Sequence, residues 1–200
     1  MATITYPTDM PGPESLRWEL VSNTQVSLSP LSGQVQTQEL PGARWRVSID
    51  YPPVRDASIK ASMRAFFASM RGQANRVDLW PFDCPRLRGT GAGTPLVNGA
   101  SQTGASLITD GWTAATTVLK GDYFSVGQQL FMASASATAS GGGAMTISVE
   151  PPIRTSPADN AALTISRPKA RFMLADPTIG WRIDSNLLTG FSADFVEVFS

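Results

Sequence analysis

The chain has 200 residues, of which 42% are hydrophobic, enough to bury a core in one large domain or two small ones. Its Lys and Arg total 16 and its Asp and Glu total 16, so no net field attracts nucleic acid or an anionic membrane, and binding of either is not expected. The absence of histidine rules out Ser-His-Asp and Cys-His catalytic pairs and removes the commonest metal ligand, while a single Cys84 cannot close an intramolecular disulfide.

Residues 1–13 are rich in Pro, Thr and Gly and read as an extended arm, one that packs on a neighbour in an oligomer or frays in a monomer. They lack the basic and apolar regions of a signal peptide, and no apolar run approaches the length of a membrane span, so the protein is expected to stay in the cytosol, soluble or assembled there. Residues 16–20 place Leu16, Trp18 and Leu20 on one side, and residues 25–29 alternate again before Pro30; these are expected to be the first two strands of an antiparallel sheet.

The strongest periodicity lies in residues 33–72. Polar and apolar side chains alternate over 34–38 and over 44–51, with a turn at Pro41-Gly42 between them and Pro52-Pro53 removing two donors to end the second strand. The period then becomes helical: Ile59, Met63, Phe66, Phe67 and Met70 form one stripe, the expected helix core, with Lys60, Ser62, Arg64, Ser69 and Arg71 opposite. Asp56 is the expected N-cap and Gly72 the expected C′ residue of the one substantial helix. Residues 76–80 read as a further strand, stopped by Pro81.

From about Arg86 the composition turns to Gly, Ala, Ser and Thr, which marks a boundary. Short strands are predicted at 106–109, 118–119, 123–126, 129–133, 145–149 and 163–166, a spacing that suits a small barrel or sandwich, with Ser140-Gly141-Gly142-Gly143 as a flexible hairpin tip. After Pro168 the earlier style returns, with strands at 171–174, 181–183 and 191–199. The final run sets Phe191, Ala193, Phe195 and Glu197 on one side against Asp194, Val196 and Val198 on the other. The expected organisation is a discontinuous domain, 1–85 plus 169–200, with a second domain inserted at 86–168; two consecutive domains are the alternative, and insertion is preferred because the last stretch is too short to fold alone.

Candidate chemical motifs are weak. Gly89-Thr90-Gly91-Ala92-Gly93-Thr94 has glycines like a phosphate loop, but no Lys-Ser or Lys-Thr follows and Pro95 blocks a helix, so a linker is expected. Residues 99–104 have the wrong spacing for a nucleophile elbow. Asp110, Asp122, Glu150 and Asp159 are scattered singly, and Lys60, Lys120 and Lys169 lie in no recognisable motif. Trp112, Tyr123 and Phe124 are either barrel core, the preferred reading, or a sugar-binding platform. No catalytic residue, cofactor or metal is assigned, and the protein is not expected to be an enzyme. The excess of Arg over Lys suits planar, bidentate pairs at subunit interfaces, or reflects only the base composition of a genome.

Leu31-Ser32-Gly33-Gln34 leading to Gly42-Ala43-Arg44-Trp45, the Tyr51-Pro52-Pro53 stop, the helix to Met70-Arg71-Gly72 and the terminal Phe195-Val196-Glu197-Val198-Phe199 together resemble tail proteins of long-tailed (siphovirus-type) bacteriophages. The similarity is to the distal tail protein and its tube-like relatives, and it covers nearly the whole chain. Residues 119–127 and 149–154 also resemble small β-domains of phage structural proteins. The resemblance implies a mainly β fold, a tail-tube-like β-barrel or sandwich with one flanking α-helix, plus an inserted small β-barrel-like domain at the periphery. It further implies a structural role in the virion tail tip, assembled in the host cytoplasm: a homohexameric ring joining the tail tube protein to the tail hub or baseplate protein, with the tape measure protein as a further candidate contact. Arg44, Arg46, Phe195, Val196 and Val198 are the candidate subunit interface, because a terminal strand with apolar positions on both faces leaves an edge that ring closure would pair. The alternative function is a carbohydrate-binding module contributing to host-surface attachment.

Overall fold

The computed structural model describes residues 1–184 and 186–199; Ser185 and Ser200, both within the expected discontinuous domain, lie outside the described residues. The fold is mainly β. In chain order the elements are β1 (Thr3–Ile4), β2 (Ser15–Val21), β3 (Thr24–Leu28), β4 (Val35–Glu39), β5 (Arg44–Val54), α1 (Ala57–Ser69), β6 (Arg76–Leu79), β7 (Gly93–Val97) and β8 (Gly104–Trp112). They continue as β9 (Thr117–Val118), β10 (Tyr123–Val126), β11 (Gln129–Ala133), β12 (Ala137–Thr138), β13 (Met145–Ile153), β14 (Leu163–Thr164), β15 (Ala170–Leu174), β16 (Trp181–Ile183) and β17 (Thr189–Glu197). Among the described residues no helix is long and apolar enough to cross a membrane.

The chain divides into two compact units, one of Met1–Glu19, Trp45–Leu79 and Ala170–Ser200, the other of Leu20–Arg44 and Trp80–Lys169. The second holds the whole 86–168 block that the composition marks off and, in addition, residues 80–85, 169 and 20–44, which the sequence reading assigns to the discontinuous domain.

The first unit is a sheet ordered β1-β6-β15-β17-β5-β2, with β16 also paired to β17. Strict alternation turns Trp45, Val47, Ile49 and Tyr51 of β5 and Phe191, Ala193, Phe195 and Glu197 of β17 inward, all of them buried. The stripe Met63, Phe66, Phe67 and Met70 of α1 is buried too, while Ile59 at its start is half-buried. Phe67 stacks on Phe191 at 5.8 Å and meets Tyr51 edge-on at 6.2 Å. Asp56 caps the helix by accepting from Ser58 N (2.8 Å) and Ile59 N (3.1 Å). The left-handed turn begins one residue earlier than expected, with φ of 49° at Arg71 and 61° at Gly72.

Four expectations need correction here. The terminal strand β17 is not an edge: β5 pairs with it along one side and β15 and β16 along the other, so its backbone groups are satisfied within the chain. Pro52-Pro53 does not end β5, because the missing donors fall at a register shift between the pairs Val54–Thr189 and Tyr51–Phe191, where a bulge needs none. The N-terminal segment is no free arm: Thr3 and Ile4 pair parallel to Arg76 and Val77, and the Tyr6 hydroxyl lies 2.9 Å from that of Tyr51. The strand at 25–29 is found as β3, but it pairs with β4 instead of joining the sheet of β2.

In the second unit β14-β10-β11-β13-β8-β7 form one sheet whose ends meet. A bridge joins Leu96 to Ala162, Val97 N donates to Ala161 O (2.9 Å) and Asn160 N donates to Val97 O (2.9 Å), so the sheet is a nearly closed, barrel-like structure. Val97, Leu107, Phe124, Phe131, Ile147 and Val149 fill it. The expected linker at 89–94 is partly strand, since β7 starts at Gly93 opposite Trp112. The glycine run at 141–143 is not a free tip: Gly143 O accepts from Trp112 N (3.2 Å), and Gly143 is buried.

Candidate functional site

The strands β3 and β4 form a two-stranded ribbon in which Val26 faces Thr37, Leu28 faces Val35 and Thr24 faces Glu39. Directly opposed residues share a face, so Val26, Leu28 and Val35 lie together on one side and Gln25, Ser27, Gln36 and Gln38 on the other. The apolar side is uncovered: Val26 is 62%, Leu28 64% and Val35 59% exposed, and Leu31 at the tip is 99% exposed. The tip is closed by Ser29 N donating to Gln34 O and Gly33 N to Ser29 O, each at 2.9 Å. At the base, Asn23 Nδ2 donates to Pro41 O (2.9 Å), Leu40 N to Asn23 O (2.7 Å) and Arg154 Nη1 to Ala43 O (2.7 Å). A ribbon of two strands is at best marginally stable by itself, and this one leaves a contiguous apolar face in water.

Alternation in 25–29 and 34–38 implies one buried face; what covers the apolar side is decided by distant chain, and among the described residues nothing does. Of the interface residues proposed from sequence, Arg46 and Val196 are cross-strand partners on the outer side of the first unit's sheet, and Phe195 turns the other way. Arg46 is exposed, Val196, Val198 and Arg44 are half-buried, and Phe195 offers no surface because it points into the core. Nor do the aromatics of the second unit make a platform: Trp112 and Phe124 are buried, and Trp112 Nε1 donates to the buried Thr109 hydroxyl at 2.8 Å. Only Tyr123 of the three is half-exposed.

The first unit has an open cleft of about 780 Å³ on the outer face of β5 and β17, lined by Asp50, Asp176, Trp181, Arg182, Ser192 and Asp194 among others. Trp181 is 41% exposed, with Arg64 over its ring at 5.4 Å. Among the described residues no three His, Cys, Asp or Glu side chains are grouped to hold a metal ion.

In the second unit the four scattered carboxylates stay scattered, and one is structural. Asp122 is fully buried and accepts from Arg88 Nε (2.8 Å), Leu119 N (2.9 Å), Arg88 N (3.2 Å) and Gly89 N (3.4 Å). Burial alone would raise its pKa, but these donors outweigh it and hold the carboxyl below its usual value. No family model matches this sequence, and no curated protein matches it either.

Proposed function

We propose that this chain is a structural subunit of a long-tailed bacteriophage tail, closing with copies of itself into a ring, a hexamer, between the tail tube and the tail-tip hub or baseplate. The observation that carries the reading is the β3–β4 ribbon, whose apolar side has no cover among the described residues. In a head-to-tail ring each ribbon would lie against the next subunit, and every apolar side would be buried once the rotation closes. On this reading the interface is formed by Val26, Leu28, Leu31 and Val35, which are exposed, in preference to β17. The tail-tube-like relationship belongs to the same proposal and draws support from the sheet with one helix in the first unit and the barrel-like sheet in the second.

Native mass spectrometry and negative-stain images of the full chain test this. A closed ring is expected at micromolar concentration, and the double substitution Leu28→Asp with Val35→Asp should leave monomers of unchanged far-UV spectrum. A protein that stays monomeric across that range, alone and with tube or hub proteins, overturns the ring.

The cleft around Trp181 favours carbohydrate binding as a second reading, since an exposed indole flanked by Asp50, Asp176, Asp194 and Arg182 offers a stacking face with hydrogen-bonding groups. Saturable quenching of tryptophan fluorescence by a host-surface glycan, lost in Trp181→Ala, would support it; an unresponsive glycan panel removes it.

A further inference from the structure

A second cleft, of about 540 Å³, opens in the second unit between the 83–88 segment and the turn before β10, lined by Cys84, Arg86, Arg88, Lys120 and Tyr123 and by one carboxylate, Asp83. Cations gather here although the chain as a whole is neutral. Arg167 N donates to Pro85 O and Arg86 bridges to Ser166, which brings Arg167 alongside the same segment. Arg167 and Lys169 lie over Trp80, at 5.6 and 5.9 Å from its ring centre. The acids Asp110 and Glu150 sit on β8 and β13, and Asp159 precedes β14, where its Oδ1 accepts from Gly99 N (2.8 Å). Asp122 is buried beneath Arg88, so Asp83 is the one exposed carboxylate in the lining, against the three cations Arg86, Arg88 and Lys120.

Arg88 is held in place. Its Nε donates to Asp122 at 2.8 Å and its Nη2 to the carbonyl of Lys120, which leaves Nη1 uncommitted among the described residues. A guanidinium fixed along one edge presents its remaining donors at little entropic cost. Arg86 and Lys120 make no ion pair among the described residues, so their charges are available to a ligand.

We propose that this cleft binds a multiply charged oxyanion of the phosphoryl class, with Arg86 and Lys120 supplying charge and Arg88 an oriented donor. Charge-assisted hydrogen bonds from several cations to one anion are the strong kind, and a phosphoryl group can accept from all three. The proposal is independent of the ring.

The test is calorimetric titration of the full chain at low ionic strength with pyrophosphate, and separately with a short single-stranded oligonucleotide. Saturable binding of one pyrophosphate per chain is expected, weakened by about tenfold or more when Arg86→Gln and Lys120→Gln are combined. Because Cys84 lines the same cleft, saturating pyrophosphate should also slow its reaction with a neutral maleimide in the unaltered protein. Oligonucleotide binding without pyrophosphate binding, lost in the double variant, supports the same phosphoryl chemistry presented on a polymer. No saturable binding of either probe, or binding unchanged in a double variant of native far-UV spectrum, overturns the proposal.

Discussion

The carboxylate of Asp122 holds the 88–89 backbone against the turn before β10 through four donors, and its burial makes those bonds costly to lose. Asp122→Asn removes the charge facing Arg88 and should cost about 3 kcal/mol in urea unfolding near neutral pH. Because the folded carboxyl sits below its ordinary 3.8, the unfolded chain takes up the proton first as pH falls. The stabilisation is therefore complete above that value and disappears as pH drops through the folded one, so the gap between wild type and Asp122→Asn should narrow as pH is lowered from 6 to below 3.8. A gap that stays constant across that range would show that the charge contributes nothing. Gly143 is a second residue whose identity is set by contact: its φ is 79° and an added Cβ would meet Trp112 O at 2.4 Å, whereas a Cβ on Gly141 meets nothing within 4 Å. Gly143→Ala should cost about 2 kcal/mol or more and Gly141→Ala well under 1 kcal/mol, by thermal or urea unfolding.

The helix α1 shows how much an element owes to local sequence and how much to packing. Its cap, start and apolar stripe were all readable because each involves residues within one or two turns. What the stripe meets was not: Phe66 lies edge-on to Tyr6 at 5.7 Å and to Phe67 at 5.2 Å, so the helix also anchors the N-terminal segment. Phe66→Ala should then cost about 3 to 5 kcal/mol in urea unfolding and open residues 1–13 to proteolysis. A loss under about 1 kcal/mol would reject that packing. The β3–β4 ribbon is the opposite case, an element whose pattern promises a core that its own unit does not provide.

Across the whole molecule, Pro85 O accepts from Arg167 N at 2.6 Å, so the two ends of the block between them are already adjacent. Replacing residues 86–166 with a short Gly-Ser linker should leave the sheet of the first unit folded, with its far-UV spectrum and the amide protection of β5 and β17 retained. Aggregation without a native-like spectrum would show that the first unit needs the second. The residues alone announce the mainly β character, the single helix and its cap, which side of β5 and β17 turns inward, and the lack of histidine chemistry. All of these rest on spacing along the chain or on composition. Long-range pairing and packing, by contrast, make β17 internal to its sheet, put Phe195 in the core, let residues 92–98 help close a barrel-like sheet and bring Arg86, Arg88 and Lys120 to one cleft. Alternation states which side chains point the same way, but strand partners are chosen by residues many tens of positions apart, and so the same pattern served a buried strand in β5 and an uncovered one in β3.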